Sequence, residues 1–177
     1  MKALKITLVI LLTLVVVAAL YFVYGLYINP KSPHGSAEFK NENTEISVRY
    51  YRPYKNERLI FGDAADGALV PYGQYWRLGA NLTTKITTNR DLNFAGRMLP
   101  AGSYGLYTYP YENNWVIFVH TKTGGFSFSE PDPSGIVMKI NLPTQTLDDV
   151  VEQLTLDFIG SNLRIQWDTT KVVLPIE

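Results

Sequence analysis

The chain has no cysteine, and histidine occurs only twice, at His34 and His120. No disulfide can staple it and no cysteine can carry a lipid. A zinc centre built from histidine and cysteine is excluded, because such a site needs three or four good ligands. Charge of one sign is also lacking: 16 Lys and Arg balance 16 Asp and Glu, without a basic cluster. Phosphate backbones are gripped by concentrated Lys/Arg surfaces, so nucleic acid is not an expected partner. There is no internal repeat, and nothing in the residue inventory calls for a cofactor or a metal.

Familiar catalytic patterns are missing too. Gly102-Ser103-Tyr104-Gly105 is not the G-x-S-x-G nucleophile turn, and it joins two strand-like segments rather than a strand and a helix. The loops GDAADG (62–67) and EPDPSG (130–135) each hold two carboxylates. Calcium wants six to eight oxygens, so both read as solvated turns.

What is present begins with one uncharged apolar run, Ile6 to Ile28. As a helix it would be roughly 34 Å long at 1.5 Å per residue, enough to cross a hydrocarbon core of about 30 Å. It exceeds the apolar part of a cleaved signal peptide and ends in aromatics suited to a membrane interface. Lys2 and Lys5 precede it, so the positive-inside bias keeps the N-terminus cytoplasmic. The expectation is a single-pass membrane protein: stub and anchor over 1–30, a tether over 31–37, and a domain on the outer side of the membrane over 38–177.

That domain reads as all-β. It is rich in Tyr, Phe and Thr, with many Gly and Pro. Leu154, Leu156 and Phe158 alternate with polar residues, as do Leu163, Ile165 and Trp167, and Ile136, Met138 and Ile140 do the same. Alternation with a period of two gives one dry and one wet face, as in an antiparallel sheet. Gly160-Ser161-Asn162 joins two of these runs at hairpin distance. EISVRYYRP, TKITT, SYGLYTYP and NWVIFVH supply further strands. About eight strands predict an antiparallel β-sandwich or flattened barrel. LDDVVEQL is ambiguous between helical turn and strand, and Pro71–Trp76 reads as a short helical turn.

Arginines carry the chemistry that remains. Arg52, Arg58 and Arg77 each lie beside apolar residues, and a guanidinium offers a planar fork for carboxylate or phosphate. Each either pairs internally, with carboxylates or loop carbonyls, or converges with the others on an anion. In WRLGANLTT (76–84), Gly79 would allow a tight corner, Trp76 would cap the core and the Asn81 amide would tie the turn.

Several motifs occur in a fixed order: Arg52-Pro53, Arg58, Ile60–Gly62, Leu69–Gly73, Trp76–Asn81, Thr84, Leu99–Leu106, Trp115 and Trp167. They resemble the domain of unknown function 2911 family, mostly from Bacteroidetes-type bacteria, over about Val48 to Trp167. The resemblance implies no established activity. The chain departs from the pattern at Glu57, where a glycine precedes the arginine, and at Asp63–Ala68, an insertion. Leu82 replaces an acid and His120 an asparagine. Loss of that acid would impair a catalytic carboxylate and leave a binding role intact. The expected function is a binding or structural module for a small anionic or envelope-derived ligand, with Arg52, Arg58, Arg77, Asn81, Thr84 and His120 as candidate ligand-binding residues. The alternatives are an envelope hydrolase using Arg52, Arg77, Asn81 and His120, and a protein adaptor recognised through an exposed aromatic patch.

Overall fold

A computed structural model describes residues 2–28 and 31–177. The chain forms two compact units, one up to residue 33 and one from His34 to Glu177. In the first, the apolar residues form helix α1 (Lys2–Val23), which continues as a π-helical turn over Tyr24–Ile28. Leu4–Val23 has a mean hydropathy of 2.9 and is long and apolar enough to cross a membrane, as an anchor or as a signal sequence.

The second unit is built on a seven-stranded antiparallel sheet in the order β1 (His34–Lys40), β2 (Glu45–Tyr51), β5 (Thr84–Thr88), β8 (Gly102–Pro110), β9 (Asn114–His120), β10 (Ile136–Ile159) and β11 (Asn162–Leu174). Two short pairs, β3 (Phe61–Gly62) with β4 (Val70–Pro71) and β6 (Leu92–Phe94) with β7 (Arg97–Leu99), complete it. Strand β1 opens at His34, so residues His34–Ala37, read above as tether, pair with Tyr51–Val48 of β2.

Strand β10 is 24 residues long and changes partner midway. Ile136–Pro143 pairs with β9, and from Thr144 onward the strand pairs with β11. The switch falls at Pro143, which has no N–H to offer a ladder. The ambiguous segment Leu147–Leu154 lies inside this strand, with register shifts on either side of Val151. Val150 and Val151, stiff at χ1, favour the extended backbone. Pro71–Trp76 forms no helix: Pro71 belongs to β4 and a turn follows. Single turns of 3-10 helix occur instead at Ala64–Asp66 and Pro133–Gly135.

The sheet curls because the end of β2 meets the second half of β10. The Tyr50 hydroxyl accepts from the Leu156 N–H at 2.8 Å, and Leu154 N–H donates to the Pro53 carbonyl at 3.0 Å. Inside the curl lie the residues that alternation assigned to the dry face, among them Leu154, Leu156, Leu163 and Ile165. All three tryptophans meet there with Phe61. The Trp76 ring stacks near Trp167 at 5.8 Å and meets Trp115 edge-on at 5.5 Å, while Phe61 lies 5.1 Å from Trp115. Such offset and edge contacts add about 0.5–1.5 kcal/mol each beyond area burial.

Candidate functional site

The corner at WRLGANLTT is a tightly determined turn. Trp76 exchanges two 2.8 Å backbone hydrogen bonds with Thr108 of β8, and its indole N–H donates to the Gly79 carbonyl at 3.2 Å. A Cβ at Gly79, whose φ is 153°, would lie 2.9 Å from the Tyr51 carbonyl oxygen. Fully buried Leu78 is held at φ 55°, a left-handed conformation costing about 1–2 kcal/mol for a branched residue. The Thr84 hydroxyl stabilises it by donating to the Leu78 carbonyl at 2.7 Å. The tie at Asn81 runs through its main-chain carbonyl, which accepts from Arg77 Nη1 at 3.2 Å, rather than through its amide.

Arg77, Asn81 and Thr84 therefore share the corner. Arg52 ends elsewhere, donating from Nε to the Leu154 carbonyl at 3.2 Å and from Nη2 to Thr155 Oγ1 at 3.3 Å. Arg58 folds back on its own loop and donates to the carbonyls of Lys55 and Tyr54. The three guanidiniums reach separate acceptors, all of them uncharged. Glu57 sits at φ 58°, a left-handed conformation that a glycine would favour.

His120 lies on the outer face of the sheet at 4 % exposure. Its Nδ1 accepts from the Lys122 N–H and its Nε2 faces the Asp132 carbonyl, both at 2.8 Å. A carbonyl can only accept, so Nε2 carries the proton and both ring nitrogens are engaged. The histidine clasps the loop 121–135 against β8 and β9. Gly105 makes the same approach possible, since a Cβ there would lie 2.1 Å from the Lys122 carbonyl oxygen.

Further along that loop Glu130 accepts from the hydroxyls of Tyr107 at 3.4 Å and Tyr109 at 2.5 Å. Burial first, and the Glu130 charge second, push the Tyr107 phenol up to about 12. Burial first, and the hydrogen bond to Glu130 second, also raise Tyr109.

The same outer face carries a feature that adjacency in sequence does not expose. In EISVRYY the dry residues Ile46, Val48 and Tyr50 place Arg49 outward, and in TKITT buried Thr84 and Ile86 do the same for Lys85. Register then sets Arg49 directly opposite Lys85. Neither side chain has an ion pair or hydrogen bond among the described residues, and like charges across a ladder cost about 0.2–1 kcal/mol. Arg49 and Lys85 line a groove of about 230 Å³ with His34, Tyr51, Leu82 and Thr83, and no carboxylate is among its lining residues.

Fold and site together define a curled antiparallel β domain, preceded by an apolar helix, with paired cations on its outer face. The chain belongs to the family described as protein of unknown function (DUF2911), whose model matches residues 32–176. No curated protein and no solved structure was found to match it.

Proposed function

We propose that this protein is an inner-membrane-anchored bacterial protein whose periplasmic β domain binds a small anion, with Arg49 and Lys85 as its principal contacts. One observation carries the reading: two cations, neither in an ion pair among the described residues, stand face to face in a groove with no lining carboxylate. Glu38 and Glu45 line a separate groove that Arg49 also borders. A bound anion would turn their mutual repulsion into shared attraction, and each guanidinium or ammonium hydrogen bond to it would be charge-assisted. Of the residues chosen by sequence, Arg77 keeps spare donors at the corner, while Thr84 and His120 serve the site by holding its walls. A hydrolase would need a free base, and both nitrogens of His120 are already engaged.

The test is titration of the full chain, in a non-ionic detergent, with inorganic phosphate and with a phosphomonoester, followed by calorimetry. Saturable binding that Arg49→Gln and Lys85→Gln each weaken supports the reading. Binding unaffected by either substitution, or no binding, overturns it.

A further inference from the structure

The loop 121–135 presents two phenylalanines to solvent next to the cationic groove. Phe126 is 54 % exposed and Phe128 74 %, the highest exposure of any large apolar side chain in the β unit. Their rings stack on each other at 5.5 Å with planes 7° apart, so they form one apolar ridge. The ridge is fixed rather than loose. Phe126 bridges Leu82 of the groove, Thr83 and Ser127 share a hydroxyl hydrogen bond, and the Arg77 guanidinium lies 5.0 Å from the centre of the Phe128 ring. Thr123 and Gly124 of the same loop line the groove itself.

Exposed aromatics flanked by Arg and Lys are the composition of a surface that rests in the headgroup layer of a bilayer. Phenyl rings enter the boundary with the acyl chains while the cations meet lipid phosphates. Here the cations are Arg77 beneath the ridge and Arg49 and Lys85 in the groove beside it. Glu130, the nearest acid along the loop, is held by the hydroxyls of Tyr107 and Tyr109.

Covalent reach supports the same partner. His34, a groove residue, follows Ile28 by six residue steps, at most about 22 Å of extended chain. Because so few residues of sequence join the two, a bilayer that held the helix would meet a weakly binding surface of the β unit at high effective concentration.

We propose that Phe126 and Phe128 insert into the surface of the bilayer that holds the helix, and that the Arg49–Lys85 groove takes the phosphate of an anionic lipid. This inference rests on the anion-binding reading above and names the anion.

The absence of native cysteine allows a clean probe. The full chain carrying Phe128→Cys, labelled with a polarity-sensitive fluorophore, is reconstituted into vesicles of phosphatidylcholine alone or mixed with phosphatidylglycerol. The expected result is a blue shift, and quenching by brominated acyl chains, in the anionic vesicles only. Arg49→Gln with Lys85→Gln should abolish both. Met98→Cys, at a position 65 % exposed, should stay water-like throughout, and circular dichroism reports whether each variant is folded.

A water-like Phe128 label in both vesicles overturns the inference. So does an equal shift at Met98, which would mean nonspecific adsorption. A shift that appears in detergent as protein concentration rises would assign the ridge to a second copy of the chain and overturn the lipid reading. If phosphate binds in the groove but the label stays in water, anion binding stands and docking fails; if neither occurs, both fail.

Discussion

Arg49 and Lys85 are direct register partners across β2 and β5, two cations face to face on the outer side of the sheet. Relieving that repulsion should be neutral or slightly stabilising, so Arg49→Gln is expected to change stability by no more than about 1 kcal/mol. A ligand that binds only the folded state stabilises by about 2.7 kcal/mol at a hundred times its dissociation constant. Phosphate should therefore raise the melting temperature of the wild type more than that of Arg49→Gln at the same concentration.

Leu82→Glu makes the opposite move. Residue 82 is half-buried at the groove wall, so a carboxylate there can reach the cations without entering the core. Phosphate affinity is expected to fall at least about tenfold, or about 1.4 kcal/mol, with the circular dichroism spectrum unchanged. Unaltered affinity would place the anion elsewhere.

Leu156 is 2 % exposed and pairs with Ile165 across the β10–β11 hairpin. Truncation to Ala should cost about 2–5 kcal/mol in chemical denaturation. Gln166, one residue along on the wetter face, should tolerate Ala within about 0.5 kcal/mol. Similar losses from the two would contradict the register.

The loop clasp should weaken in alkali. Tyr107, raised by burial and by Glu130, is pushed up to about 12, above the free value near 10. A group raised on folding contributes stability that is complete below its unfolded value and is lost as pH rises through its folded one. Docking of loop 121–135 should therefore persist to about pH 10 and fade towards pH 12, with protease cleavage in the loop as the readout. Glu130→Gln should lower the tyrosinate midpoint only partly, because burial, the larger cause, remains.

The β10–β11 hairpin was legible from alternation alone, since Leu156, Leu163, Ile165 and Trp167 all fall on one dry face. The corner at Gly79 was legible because tight backbone approach has few side-chain solutions. Arg49 was passed over because a lone outward charge on a strand looks like ordinary solvation. Its significance depends on facing Lys85, and registration of strands so far apart is a tertiary property. Arg52, Arg58 and Arg77 stood out through apolar neighbours, yet sequence does not reveal their acceptors. Arg52 ends on the Leu154 carbonyl and Thr155 hydroxyl of β10, while Arg58 and Arg77 end on carbonyls of their own loops. The amide of Asn81 was assigned the tie that its carbonyl makes, because a positive φ at Asn81 turns the backbone towards Arg77.

The tryptophan nest has a kinetic consequence. Its members come from β3, the corner, β9 and β11, and Phe61 and Trp167 are separated by more than a hundred residues. Pairings this distant must await closure of long loops, which places such β domains among slow folders, on the millisecond-to-second scale. Trp167 lies on β11, so the nest cannot close until that last strand of the β unit has been made. Until then Phe61 and Trp76 lack the Trp167 ring that each packs against, and exposed apolar surface of this kind is prone to aggregation.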